Sequence, residues 1–263
     1  MTATTMPTLG RTEGVGRRAG RFVRAELGLF VTPLLIAAAA LALWYHVDTA
    51  DKIFQDESAL DWDSNLYPLI RQHLALTFWS TLWVLVIAIP LGVVLTRPQF
   101  RRYSGPILTV ANSGQALPAY GLFVIAFAWQ GRGFSTAVMA LTFFALLPVL
   151  RNTMVGLDQV DPALLEAGKG MGMSRLQVLR RIEMPLAVPV ILAGVRTALV
   201  ITVGMAALAY LIGGGGLGAT ISAGLKLSRD LVLITGAVMT ALVALTVDWI
   251  AALIEKTLRP SGL

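Results

Sequence analysis

Six apolar blocks alternate with short polar connections along the chain, at roughly residues 28–46, 72–96, 106–129, 135–150, 186–212 and 231–254. Each is measured against the ~20 mostly apolar residues that a helix needs to cross a bilayer. The fourth block is short and extends past Arg151, whose long side chain can carry its charge to the interface. The first ends in Trp44 and Tyr45, a pair suited to anchoring at the membrane surface. Arginines ahead of it and Ala40-Leu41-Ala42 within it also fit a cleavable signal peptide. The length of the run and its aromatic end favour a retained span. The pattern predicts an all-α integral membrane protein with six transmembrane helices. Residues 1–27 and 255–263 are expected as tails, the first 20 residues disordered, and 28–254 as one membrane domain with a long loop at 151–185.

Charge sets the orientation. Only 14% of residues are charged, against about 25% in soluble domains, while 56% are hydrophobic and mean hydropathy is +0.72. The net charge of +6 is distributed as the positive-inside rule requires, so nucleic acid is not the expected partner. Arg11, Arg17, Arg18, Arg21 and Arg24 precede the first block. Arg97, Arg101 and Arg102 follow the second, and Arg151, Lys169, Arg175, Arg180 and Arg181 follow the fourth. Asp48, Asp51, Asp56, Glu57, Asp61 and Asp63 lie on the opposite side. Both termini are therefore expected in the cytoplasm. Cysteine is absent, which excludes disulfides and thiol chemistry. His46 and His73 sit at block ends and are read as interfacial groups.

The connection after the fourth block is built as helix, tight turn and helix. Asp161 suits an N-cap and Pro162 the first helical position. Gly170-Met171-Gly172 stops that helix, since glycine accepts a left-handed conformation. Ser174 and Gln177 fit a capping box for the next helix, and Pro185 and Pro189 mark the start of the fifth span. Such a polar knob could dock on a protein, or lie as an amphipathic segment on anionic lipid.

The spacing Glu166-Ala167, Gly172, Ile182, Pro185 resembles the EAA loop of permease subunits of binding-protein-dependent ABC importers. Gly168 stands for the second alanine of that pattern and Met184 for its leucine. The resemblance covers about residues 72–254. "LPVLRNTMVGLDQVDPALLEAGKGMGMS", "LIGGGGLGATISAGL" and "GQALPAYGLF" are similar to the osmoprotectant branch, which imports glycine betaine, choline or carnitine. Tyr210 and Gly214 depart from that branch, where an apolar or aromatic residue and an alanine are expected. The resemblance implies a MetI-like permease fold. It makes Asp161, Glu166, Ala167, Gly168, Gly172, Ile182 and Pro185 the coupling element that docks on a separate ATPase. It also implies an external solute-binding protein and a second permease copy, identical or a sister chain. ATP and Mg would belong to the ATPase, with no cofactor in this chain. An importer for an amino acid such as methionine and a self-sufficient secondary transporter are the alternatives.

Gly213, Gly215 and Gly218 satisfy a G-x-G-x-x-G pattern, but a membrane span precedes them where a dinucleotide fold needs a strand. No phosphate-loop motif, nucleophile–base pair or metal-ligand spacing stands out. Charges inside spans are costly and draw attention. Arg196 lies roughly 15 Å into the fifth block and Asp248 roughly 9 Å from the inner end of the sixth, at 1.5 Å per residue. Similar depth predicts a buried ion pair, structural ahead of pathway-lining. Gln115 and Pro118 make a polar, helix-bending point in the third block, fitting either a pathway lining or a packed kink.

Overall fold

The computed structural model describes residues 13–258. Arg11, Arg259 and the outermost tails, where cytoplasmic exposure and disorder are expected, lie outside the described residues. Among the described residues every regular element is helical. Lipid offers no partners to backbone N–H and C=O groups, so a spanning segment must satisfy them internally.

Helix α1 (Glu13–Thr49) starts inside the stretch expected as a tail. The arginines, alanines, Glu26 and Leu27 there are good helix formers, and extending a helix already nucleated costs little. Helix α2 (Phe54–Leu60) lies outside the first span. A π-helical turn, Trp62–Leu66, then runs into α3 (Tyr67–Leu95), so the second span starts well before residue 72.

The third block is not one helix. It divides into α4 (Ser104–Ala116) and α5 (Ala119–Gln130), bent by 105°. Pro118 supplies no N–H, and its ring drives the preceding residue out of the helical region. Leu117 accordingly has φ −69° and ψ 139°, and Pro118 has ψ 130°. Among the described residues, five helical segments are long and apolar enough to cross a membrane, six if this bent pair makes one crossing.

Helix α6 (Phe134–Asp158) continues past Arg151. After it come α7 (Pro162–Gly170) and α8 (Arg175–Val178). A second π turn, Leu179–Glu183, joins α8 to α9 (Met184–Ala206) without a break. The knob's second helix is thus continuous with the fifth span, which Pro185 was expected to separate. The π turn accommodates the proline: the N–H of Met184 reaches back five residues to Leu179 O, widening the turn ahead of the ring. A short helix, α10 (Gly218–Leu227), precedes α11 (Asp230–Leu258).

Helix α6 is central, flanked by α3 and α9. Between them Leu76, Val84, Ala88, Leu141, Ala145, Val149 and Ala198 are buried. Apolar side chains gain little by leaving lipid, so membrane helices associate through close contact at small residues. At Gly194 of α9 an added Cβ would lie 2.8 Å from Pro148 O and 2.7 Å from Asn152 Cβ, both on α6. Gly156 of α6 meets Ala187 of α9 in the same way, at 3.1 Å from its carbonyl.

Candidate coupling surface and intramembrane polar groups

The knob forms as its caps dictate. Asp161 accepts from the N–H of Ala163 at 2.8 Å, starting α7 with Pro162 behind it. Gly172 takes φ 82°, and Met173 N–H returns to Gly168 O at 3.1 Å. Ser174 and Gln177 exchange hydrogen bonds across the start of α8, at 2.7 and 3.3 Å. Gly168 is buried because α7 folds back on the π turn: a Cβ there would lie 2.6 Å from Ile182 Cδ1. Glu166, Ala167, Gly172 and Pro185 are exposed. So are Leu164, Met171 and Leu176. The segment Arg175–Ala206 has 32 residues, or about 48 Å of helix, against a hydrocarbon layer of about 30 Å. The segment is thus longer than the layer is thick, and the knob presents exposed apolar side chains among Lys169, Arg175, Arg180 and Arg181.

One contact at the root of the knob pairs two residues whose charges, but not partnership, stand out in the sequence. Arg97, just past α3, grips Glu183 with both terminal nitrogens, at 3.1 and 2.5 Å. Only 8% of the Glu183 side chain is exposed. Arg97 Nε also donates to Val93 O at 3.1 Å.

Arg196 and Asp248 meet as the shared depth predicts, with Nε–Oδ1 at 2.6 Å and Nη2–Oδ2 at 2.8 Å. The pair is less buried than expected, at 40% and 30% side-chain exposure, and Glu255 approaches the same guanidinium at 3.7 Å. Two turns of helix on from Asp248, Glu255 shares α11's face, a relation readable from spacing. Gln115 donates to Phe144 O at 3.5 Å. That carbonyl lies four residues before Pro148, whose missing N–H leaves it without a helical donor. Gln115 thus serves α6, while Pro118 is exposed at the α4–α5 break.

His73 is fully buried, not interfacial. Its Nε2 donates to Val203 O (3.0 Å) near the end of α9, and its Nδ1 accepts from Leu217 N–H (3.3 Å). Gln72 Oε1 accepts from Gly216 N–H at 3.1 Å. These two side chains near the N-terminal end of α3 hold the glycine run, so the G-x-G-x-x-G pattern serves a backbone turn. Nearby, Asp56 of α2 is buried against Arg229 at the start of α11, each carboxylate oxygen receiving one guanidinium nitrogen. The Arg229 hydrogen bond holds the Asp56 carboxyl below its ordinary value of 3.8, against the opposing effect of desolvation.

Among the cavities bounded by the described residues are two along the spans, both almost wholly apolar. One of about 570 Å³ is bounded by α3 and α6, with Trp79, Trp83, Phe134 and Phe143 on its wall. The other, about 660 Å³, lies among α1, α3 and α11. Neither presents a charged side chain to a zwitterion. Among the described residues no cluster of three metal-ligating side chains occurs.

A bundle of helices long and apolar enough to cross a membrane, carrying a capped and partly apolar knob, is the architecture of a multi-pass membrane protein. Residues 88–260 match the family described as binding-protein-dependent transport system inner membrane component, and the chain belongs to that family. It is accordingly a multi-pass inner-membrane transport component and not itself an enzyme. Among its relatives is the carnitine transport permease protein OpuCD of Listeria monocytogenes, 41% identical over 72% of this chain and 84% of the relative. The choline transport system permease protein OpuBB of Bacillus subtilis is 40% identical over 73% and 88%. The osmoprotectant import permease protein OsmW of Salmonella typhimurium is 38% identical over 78% and 96%. An inward-facing structure of the MetNI methionine ABC transporter has the same fold, with a TM-score of 0.66, 23% identity and coverage of 74% and 96%.

Proposed function

We propose that this chain is the permease subunit through which an ATP-driven importer moves a compatible solute, such as glycine betaine, choline or carnitine, into the cytoplasm. The names of the relatives support that solute class. The observation that carries the coupling role is the exposure of Leu164, Met171 and Leu176 on a capped knob, next to Glu166. Exposed apolar groups ringed by charge are what a protein partner covers. In this reading ATP and Mg are bound by ATPase subunits that dock on residues 151–185. A solute-binding protein delivers cargo on the opposite side. Two permease copies enclose the pathway, a reading supported by the family to which the chain belongs. Both termini, including the tails 1–27 and 255–263, face the cytoplasm, as the Lys/Arg asymmetry requires.

The residues divide the work physically. Asp161 starts α7, Gly168 lets it close on Ile182, and Gly172 supplies the turn. The π turn before Pro185 carries the knob's motion into α9. Glu166 offers a charge-assisted hydrogen bond across the docking surface. Arg196 and Asp248 tie α9 to α11. Gln115 and Pro118 shape the bundle without touching cargo.

The test uses Glu166→Arg and Gly172→Val. Neither alters a span, so membrane insertion persists. A β-branched residue at φ 82° distorts the turn and misplaces the knob. ATPase retention or solute uptake per ATP should fall in both. If the knob lies on lipid instead, Glu166→Arg strengthens attraction to anionic membranes and uptake is spared. Normal retention and uptake in both variants refute the coupling role. Uptake of methionine, with none of glycine betaine, choline or carnitine, refutes the solute class.

A further inference from the structure

We propose that Arg97 and Glu183 form a strut that makes the coupling segment and the inner end of α3 move as one body. The inference rests on the coupling role proposed above and adds a second route by which the knob acts on the bundle. The first route is covalent, through the π turn into α9. The second crosses space. Helix α7 packs on Ile182 through Gly168, the neighbouring Glu183 receives Arg97 bidentately, and Arg97 is fixed to the end of α3.

The geometry favours rigid transmission over a loose surface pair. A bidentate guanidinium–carboxylate contact fixes direction as well as distance. Glu183 is nearly buried and the Arg97 side chain is 32% exposed, so water screens the contact less than it does a fully exposed pair. The Nε of Arg97 is also committed, to Val93 O. That carbonyl has lost its helical donor, because the N–H of Arg97 goes to Val94 O. The guanidinium is therefore held at both ends. The π turn belongs to the same device: by adding a residue to the turn it sets the azimuth of Glu183 relative to α9. By contrast, the nearby Arg101–Asp158 pair is open to water and long, at 3.5 Å.

Helix α3 gives the strut its reach. At its outer end Gln72 and His73 hold the backbone of Gly216 and Leu217. A push entering at Arg97 thus arrives, through one 29-residue helix, at the glycine run on the other side. Arg97 and Glu183 are positioning residues for transport and touch neither ATP nor solute.

Glu183→Gln keeps shape and removes charge, and Arg97→Met removes the fork. In the assembled transporter with its ATPase and binding protein, both should retain the ATPase and continue ATP hydrolysis. Uptake per ATP hydrolysed should fall about tenfold or more, as loss of a charge-assisted contact implies. The double variant should be no worse than either single one. A purely structural pair would lower the amount of assembled complex and leave uptake per ATP unchanged. A second measurement leaves the pair intact. Spin labels at Phe100→Cys and Arg181→Cys, both exposed positions in a cysteine-free chain, report the distance across the strut. That distance should be the same with and without ATP, and should become nucleotide-dependent in Glu183→Gln. Native uptake per ATP in both single variants overturns the strut. So does a nucleotide-driven change beyond the about 1–2 Å of ordinary helix shifts with the pair intact. Failure of the unaltered complex to retain its ATPase would instead refute the coupling reading itself.

Discussion

Replacing Gly194 by alanine should destabilise the bundle, although alanine is the better helix former. In a helix interior Gly→Ala is worth about 0.5–1 kcal/mol in favour of alanine. At Gly194 the added methyl carbon would lie 2.8 Å from Pro148 O, whereas ordinary contact begins at 3.4 Å. That oxygen belongs to the α6 backbone and cannot swing aside, so α6 and α9 must part by roughly 0.6 Å along their closest approach. Overpacking of this kind costs about 1–3 kcal/mol, leaving a net loss of up to about 2.5 kcal/mol, centred near 1 kcal/mol. Gly204 provides the control. It lies on the same helix, is exposed, and has nothing within 4 Å of an added Cβ. Gly204→Ala should therefore gain stability. Thermal unfolding of the detergent-purified chain reads both, each kcal/mol being worth about 2–4 °C at this size. Equal or greater stabilisation by Gly194→Ala would refute the claim that direct backbone contact sets the α6–α9 spacing.

Arg196→Met should cost more stability than Asp248→Asn, because Glu255 remains 3.7 Å from the guanidinium when Asp248 is neutralised. Partial exposure places the Arg196 loss between surface and buried pairs, at about 1–3 kcal/mol, and simple additivity in the Arg196→Met, Asp248→Met double-mutant cycle would disprove the pairing. The Asp56–Arg229 tie carries a pH signature: because the folded carboxyl titrates below 3.8, its contribution is complete above that pH and is lost as pH falls through the lower value. Unfolding curves of wild type and Asp56→Asn should thus converge on acidification, and a constant gap would refute the linkage. For topology, Phe54→Cys should react with an impermeant thiol reagent from outside and Met171→Cys should not, the reverse pattern excluding both termini inside. Position 54 is the better probe, being 81% exposed, whereas Asp56 is buried.

Much of the knob was legible because its determinants are local. The Asp161 cap, the Ser174–Gln177 box and the left-handed Gly172 each depend on residues within a few positions. Arg196 and Asp248 were paired by depth alone, since a charge in a span has few places to go. The glycine run was read as a backbone turn, but the side chains that hold it, Gln72 and His73, were not found. His73 looked interfacial because its partners, Val203 and Leu217, are more than 100 positions away. Arg97–Glu183 and Asp56–Arg229 were hidden for the same reason. Pro118 and Pro185 show a different limit. Each breaks the regular hydrogen-bond ladder, but one is followed by a 105° turn and the other is absorbed by a π turn. The choice depends on what packs around the break, which periodicity does not encode.

The unbroken run from Arg175 to Ala206 makes α8 and α9 a lever arm. Its close backbone contact with α6, at Gly194, is the natural fulcrum. On the knob side the arm is about 28 Å long and on the far side about 18 Å, at 1.5 Å per residue. A swing that carries the knob end sideways by about 2 Å carries the far end about 1.3 Å the opposite way. The far end bears the 3₁₀ turn Ala209–Ile212 and the glycines after it. In the proposed pairing of two copies across a two-fold axis, two such arms would not spread at both faces of the membrane together. Opening on one side and closing on the other would then follow from a single stiff rod, with no need for separate gates to signal to each other.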